Sequence, residues 1–151
     1  MKKRLLFLVL SISALGLLLT GCGAKKGSSS GLGMELAKSA HQYIGVPYVY
    51  GGRSPKGFDC SGLVWYVYRQ HGVELPVSSA KQARVGKKVD KDELVPGDLI
   101  FFQNKGRISH VGLYIGGNQM IHAPGRGKKV VKVNIKEKYY RQNYAGARRM
   151  I

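Results

Sequence analysis

Apolar residues recur along this chain with three different spacings. From Leu5 to Leu19 they run almost without interruption. Leu36, Ala37, Ala40, Tyr43 and Ile44 then fall on one face of a helix predicted over about Met34 to Ile44, which Gly45 ends. Leu63, Val64, Val67 and Tyr68 repeat that stripe in a second helix from Ser61 to about Gln70, with Asp59 as N-cap and Gly72 as the stop. Between the two lie a tight segment, Val46 to Gly52, and a loop through Ser54-Pro55. Ser78 or Ser79 can cap a short helix to about Val85. Beyond the Pro96-Gly97 turn the pattern becomes that of strands. One covers Asp98 to Gln103; strands over about His110 to Ile115 and Gln119 to Ala123 form a hairpin across Gly116-Gly117-Asn118. Two more, about Val130 to Ile135 and Tyr144 to Met150, finish the chain. Helices first and strands afterwards is an α+β order. The 119 residues from Gly33 to Ile151 suffice for one domain with one core, without internal repeat or second linker.

The first apolar run belongs to a processing signal rather than to the fold. Lys2, Lys3 and Arg4 precede it, and Leu5 to Leu19 is too short for a comfortable membrane span. Leu19-Thr20-Gly21-Cys22 has the form of a bacterial lipobox. Residues 1–21 are therefore expected to be a lipoprotein signal peptide and Cys22 the lipidated first residue of the mature chain. Acyl chains such as palmitate would anchor it at ~0.8 kcal/mol per buried methylene. Residues 22–32, rich in Gly and Ser, read as a flexible tether, and residues 33–151 as the domain. The expected location is the membrane of the cell envelope. If the host has an outer membrane, Gly23 rather than an aspartate after Cys22 favours sorting to its periplasmic face.

Lipidation of Cys22 changes the meaning of the other cysteine. The chain has two, so Cys60 would have no disulfide partner in an oxidising compartment, and an unpaired thiol kept there suggests a task. The same location bears on the charge. Removing Lys2, Lys3 and Arg4 from the formal +17 leaves +14. Nucleic acid is the usual partner of so basic a domain, but not outside the cytoplasm. Anionic envelope polymers and lipid head groups are the natural counterparts.

A lone cysteine is more often a small buried hydrophobe than a nucleophile. Cys60, however, sits in Phe58-Asp59-Cys60-Ser61-Gly62 at the mouth of the second helix. There unpaired N–H groups and the helix dipole are expected to lower its pKa. His110 and His122 can supply a base and the group that orients it, the makings of a Cys-His-His hydrolase. The hairpin sets a condition. A three-residue loop pairs Gly112 with His122 and puts His110 diagonally across on the same face, within ~7–8 Å. A two-residue loop at Gly117-Asn118 turns the histidines to opposite faces unless a bulge intervenes. Zinc is disfavoured, since Cys60, His110 and His122 lack close ligand spacing.

With these residues in place, the chain resembles the NlpC family of bacterial cell-wall cysteine peptidases. The likeness is carried by Gly45 to Gly52, Gly57 to Leu63, Leu75-Pro76, Pro96 to Phe102, His110 to Ile115 and Ile121-His122-Ala123. Pro124 departs from the serine common at that point. The resemblance implies a papain-like α+β fold, N-terminal helices packed on an antiparallel sheet. It implies Cys60 as nucleophile, His110 as base and His122 as its orienter. Tyr48 would point into the site near the oxyanion or substrate, while Asp59 and Ser61 line the substrate amine in some relatives. Tyr50, Trp65 and Tyr66 are expected to pack, and Gly51-Gly52 to permit a tight backbone near the cleft. The implied substrate is the stem peptide of peptidoglycan, cut by a monomer without cofactor or metal. An acyltransferase or amidase of the same clan, or an inactive peptidoglycan-binding module, are the alternatives.

Overall fold

A computed structural model describes residues 29–151, so the signal, Cys22 and most of the expected tether lie outside the described residues. Two helices come first, α1 (Ser29–His41) and α2 (Cys60–Gln70), joined through a two-stranded hairpin of β1 (Arg53–Ser54) and β2 (Gly57–Phe58). A short α3 (Ser79–Gln82) leads to β3 (Lys87–Val89). There follow β4 (Leu99–Asn104), β5 (Arg107–Gly116), β6 (Gln119–His122), β7 (Val131–Asn134), α4 (Lys138–Asn143) and β8 (Tyr144–Arg149). The last six strands form one antiparallel sheet in the order β3-β8-β4-β5-β6-β7. This is the α+β arrangement that the order of elements predicts.

β4 explains the layering. Its run Leu99-Ile100-Phe101-Phe102 is apolar at every position because both faces of the sheet are covered. Leu99 and Phe101 join Leu36, Ala40, Leu63, Val64 and Val67 of α1 and α2 in the main core. Ile100 and Phe102 join Tyr114, Met120 and Ile135 in a second cluster on the other face, against which Tyr140 of α4 and Tyr144 pack.

Several boundaries differ from expectation. α1 begins at Ser29, ahead of Met34, and Leu32 packs against the core. Gly33 lies inside the helix, where an added Cβ would sit 2.1 Å from the Pro96 carbonyl oxygen. The helix passes directly over that turn. It stops at His41, so Ile44, counted on the buried stripe, is 43% exposed. α3 ends at Gln82 rather than Val85; Gln82 is fully buried and its Nε2 donates to the carbonyls of Ser61 and Pro76.

Asp98 opens no strand. It is 1% exposed and accepts from Arg149 Nε and Nη2, both at 2.8 Å, and from the Val95 N–H at 2.9 Å. That partly buried pair ties the last strand to the turn before β4. The three missed strands and α4 are two to six residues long, too short to show a period.

Candidate active site

Asp59 shapes the start of α2. Its Oδ1 accepts from the Gly62 N–H at 2.6 Å, the N-cap bond, and from Ser61 Oγ at 3.1 Å. Its Oδ2 accepts from the Gly51 N–H at 2.9 Å, which ties the Tyr48–Gly52 segment to the helix. Gly52 and Gly62 make that contact possible. A Cβ on Gly62 would stand 2.0 Å from the Gly52 carbonyl oxygen, and one on Gly52 2.4 Å from the Gly57 carbonyl oxygen. The expected tight backbone is therefore present, and it holds the first turn of α2 in place.

Cys60 occupies that first turn, half-buried, against β5. The backbone N–H groups of Val111, Ser61 and Cys60 itself stabilise its sulfur as an anion, but burial and the Asp59 carboxylate outweigh them. The thiol pKa is raised, not lowered as the helix position alone predicts. Helix geometry supplies the donors; the packing of α2 on β5 removes the water that would have solvated the thiolate.

His110 and His122 are in direct contact, His110 Nε2 to His122 Nδ1 at 2.6 Å, rings nearly perpendicular. The route is the bulge. Gly117 and Asn118, with φ of +58° and +60°, form a two-residue turn that pairs Gly116 with Gln119. Alone that register would part the histidines. A shift between Tyr114 and Gly116 adds one residue, so Tyr114 pairs with Met120 and Leu113 with Ile121. Continued by one step, the register sets Gly112 opposite His122 and restores the shared face. Burial lowers both imidazoles, His110 to about 4 and His122 to about 3, so both are neutral at physiological pH.

Tyr140 completes the chain. Its hydroxyl shares a hydrogen bond with His122 Nε2 at 3.2 Å, and its ring packs edge-on to His122 and against Phe102. Sequence reasoning missed it because six-residue α4 has no periodic signal; its place between two predicted strands was the one hint. With both ring nitrogens engaged, His122 is fixed in rotation and is only 1% exposed.

Tyr48 stands beside Cys60 and Asp59, with Arg126 near its hydroxyl, and burial raises its pKa so that the phenol stays protonated. Its N–H donates to the Lys128 carbonyl, which brings the Arg126–Lys129 loop to the same side. Ser61 is buried, and its hydroxyl lies between Asp59 Oδ1 and the Val77 carbonyl. Both Asp59 and Ser61 thus have structural employment in the resting protein. Tyr66 packs edge-on to Tyr43, and Trp65 has the Arg69 guanidinium 4.9 Å above its ring. Tyr50, expected to pack, is 79% exposed.

Known proteins resemble this chain over most of the described domain. The model of the NlpC/P60 family matches residues 45–149. The chain is 42% identical over 120 residues to a gamma-D-glutamyl-L-lysine dipeptidyl-peptidase of Bacillus cereus, covering 78% of this chain and 36% of that protein. It is 36% identical over 155 residues to the probable endopeptidase NlpC of Escherichia coli, covering 95% of this chain and 99% of that one. A crystal structure of an NlpC/P60 family protein from Bacillus cereus superposes with a TM-score of 0.75 at 41% identity, over 78% of this chain and 40% of that one. The chain spans 36% to 41% of the length of the two Bacillus dipeptidyl-peptidases it matches. It belongs to the NlpC/P60 family.

Proposed function

We propose that this NlpC/P60 family member is a cysteine endopeptidase that cleaves peptide bonds of peptidoglycan. The observation that carries the reading is the 2.6 Å bond between His110 and His122 on one face of the hairpin, with the Cys60 sulfur, at the start of α2, accepting from the N–H of Val111, the residue after His110 on β5. Relatives named as a gamma-D-glutamyl-L-lysine dipeptidyl-peptidase and a murein DD-endopeptidase support the substrate class.

The hydrogen-bond chain assigns the protons. His110 can act as base at Nδ1 only if its proton is on Nε2, donated to His122 Nδ1. His122 must then carry its own proton on Nε2, where the Tyr140 oxygen accepts it. Each partner thus selects the tautomer of the next, and Tyr140 is a positioning residue. Because burial keeps thiol and imidazole neutral at rest, the Cys60 proton passes to His110 Nδ1 as sulfur attacks the carbonyl carbon. The S–C bond forms and the carbonyl oxygen becomes an anion. The N–H groups at the start of α2, with the Tyr48 hydroxyl, are the donors available to it. Collapse breaks the C–N bond, and the leaving amine takes the proton from His110. Water, giving a proton to His110, then attacks the acyl carbon; the S–C bond breaks, the acyl group leaves as a carboxylic acid, and His110 returns the proton to the Cys60 sulfur.

The anchor belongs to the same proposal: lipid on Cys22 would hold a monomeric domain at the envelope membrane. Digestion of purified sacculi, with products identified by mass spectrometry, tests the activity. Release of stem-peptide fragments by the wild type and none by Cys60→Ala is expected. Undiminished release by Cys60→Ala would refute it.

A further inference from the structure

Four cations converge on a cavity for which the catalytic chain has no use. Arg84 follows α3, Lys88 is on β3, Arg107 opens β5 and Arg148 is on β8. Together they line a space of about 610 Å³, within the range of a ligand site, and its lining includes no acid. Phe101, Ile108 and small residues of α3 and β8 make its apolar floor. Arg148 is already oriented, since its Nε donates to the Ala83 carbonyl at 2.8 Å and leaves its Nη groups for another partner. Elsewhere the protein meets a like need internally, as Asp98 does for Arg149. Here the cations repel one another with no counter-charge among the lining residues, an arrangement that an anion would relieve.

The cavity is built into the same elements as the candidate site. Arg107 and Ile108 lie on β5, three and two residues before His110. Ala83 adjoins Gln82, whose Nε2 holds the carbonyl of Ser61 in α2. We propose that this cavity is a substrate subsite that binds a free carboxylate of the peptide being cleaved, with the guanidinium groups of Arg84, Arg107 and Arg148 as its donors. A guanidinium takes a carboxylate through paired N–H bonds, and the apolar floor accepts the aliphatic stem that carries it. The inference rests on the peptidase reading, yet its own failure can be told apart.

Arg84 and Arg107 are exposed, so Arg84→Gln/Arg107→Gln leaves the core intact. Synthetic stem peptides are prepared with each free carboxylate amidated in turn. Cleavage is followed with the wild-type chain and the double variant. Affinity is measured by calorimetry on both backgrounds carrying Cys60→Ala. One amidation is expected to weaken binding and raise KM roughly tenfold in the wild type, the scale of a charge-assisted hydrogen bond. The double variant should already carry that loss and be indifferent to the same amidation. Equal sensitivity in both proteins, or none in either, overturns the subsite. So does a double variant whose peptide kinetics are normal but whose salt-sensitive retention on a phosphate-rich polymer is lost. A wild type that cleaves no peptide while the binding difference persists would instead sink the peptidase reading and leave the subsite standing.

Discussion

Mild acidification should destabilise this protein through its two touching histidines. In the folded state burial holds His110 at about 4 and His122 at about 3, against about 6.5 in an unfolded chain. A depressed histidine pKa means that the unfolded state takes up protons first as pH falls. Stability contributed by the neutral rings is complete above about 7, declines below about 6.5 and goes on declining toward 4 to 3. At pH 5 each histidine contributes a loss of about 2 kcal/mol, from 1.36 kcal/mol per unit over about 1.5 units. The pair together costs about 4 kcal/mol, which at roughly 3 °C per kcal/mol lowers Tm by about 12 °C between pH 7.5 and 5. Scanning calorimetry of wild type and His122→Gln at half-unit steps measures this. The variant starts with a different Tm but should lose only about half as much over the same interval, since one of the two rings is gone. Parallel Tm profiles for the two proteins, or a wild-type Tm flat from 7.5 to 5, would refute the neutral histidine pair.

Cys60→Ala and His110→Ala should each lower cleavage by orders of magnitude, and the double variant should lose little more, as groups acting as a unit do. Iodoacetamide should label Cys60 with an apparent pKa above the ordinary thiol value of ~8.5, because burial opposes the thiolate; labelling complete near neutrality would contradict that. Tyr140→Phe should reduce kcat about tenfold with KM unchanged and shift the ¹⁵N signals of His122 toward a mixture of tautomers. Tyr140→Gln, which keeps an acceptor, should restore part of the rate; unchanged signals in Tyr140→Phe would reduce the hydroxyl to packing. Asp98→Ala should destabilise by about 1–3 kcal/mol in urea unfolding, since it removes the carboxylate that accepts from Arg149 and from the Val95 N–H, and a cost too small to measure would show the pair to be dispensable.

Amphipathic spacing alone placed α2 and the stop beyond it, because a helix leaves few other ways to bury Leu63, Val64, Val67 and Tyr68 together. It also put Cys60 at the helix mouth and named Asp59 as the cap. The hairpin was legible as a pair of alternatives: Gly116-Gly117-Asn118 admits two loop lengths, and sequence cannot choose between them. The structure combines the shorter turn with a bulge at Ile115, a choice made by the packing of Met120 and Tyr114 against the second cluster. The Cys60 pKa shows the same division. A helix start predicts a lowered value from local geometry, but desolvation depends on what packs over the sulfur, and that is β5, some fifty residues away. Tyr140 and the Asp98–Arg149 pair escaped for a related reason. One lies on a single turn and a half of helix, the other joins residues 51 apart in sequence. Local pattern determines which segments become helix or strand and which side chains carry chemistry. Protonation state, orientation and long-range pairing are properties of the packed interior, and only the tertiary structure decides them.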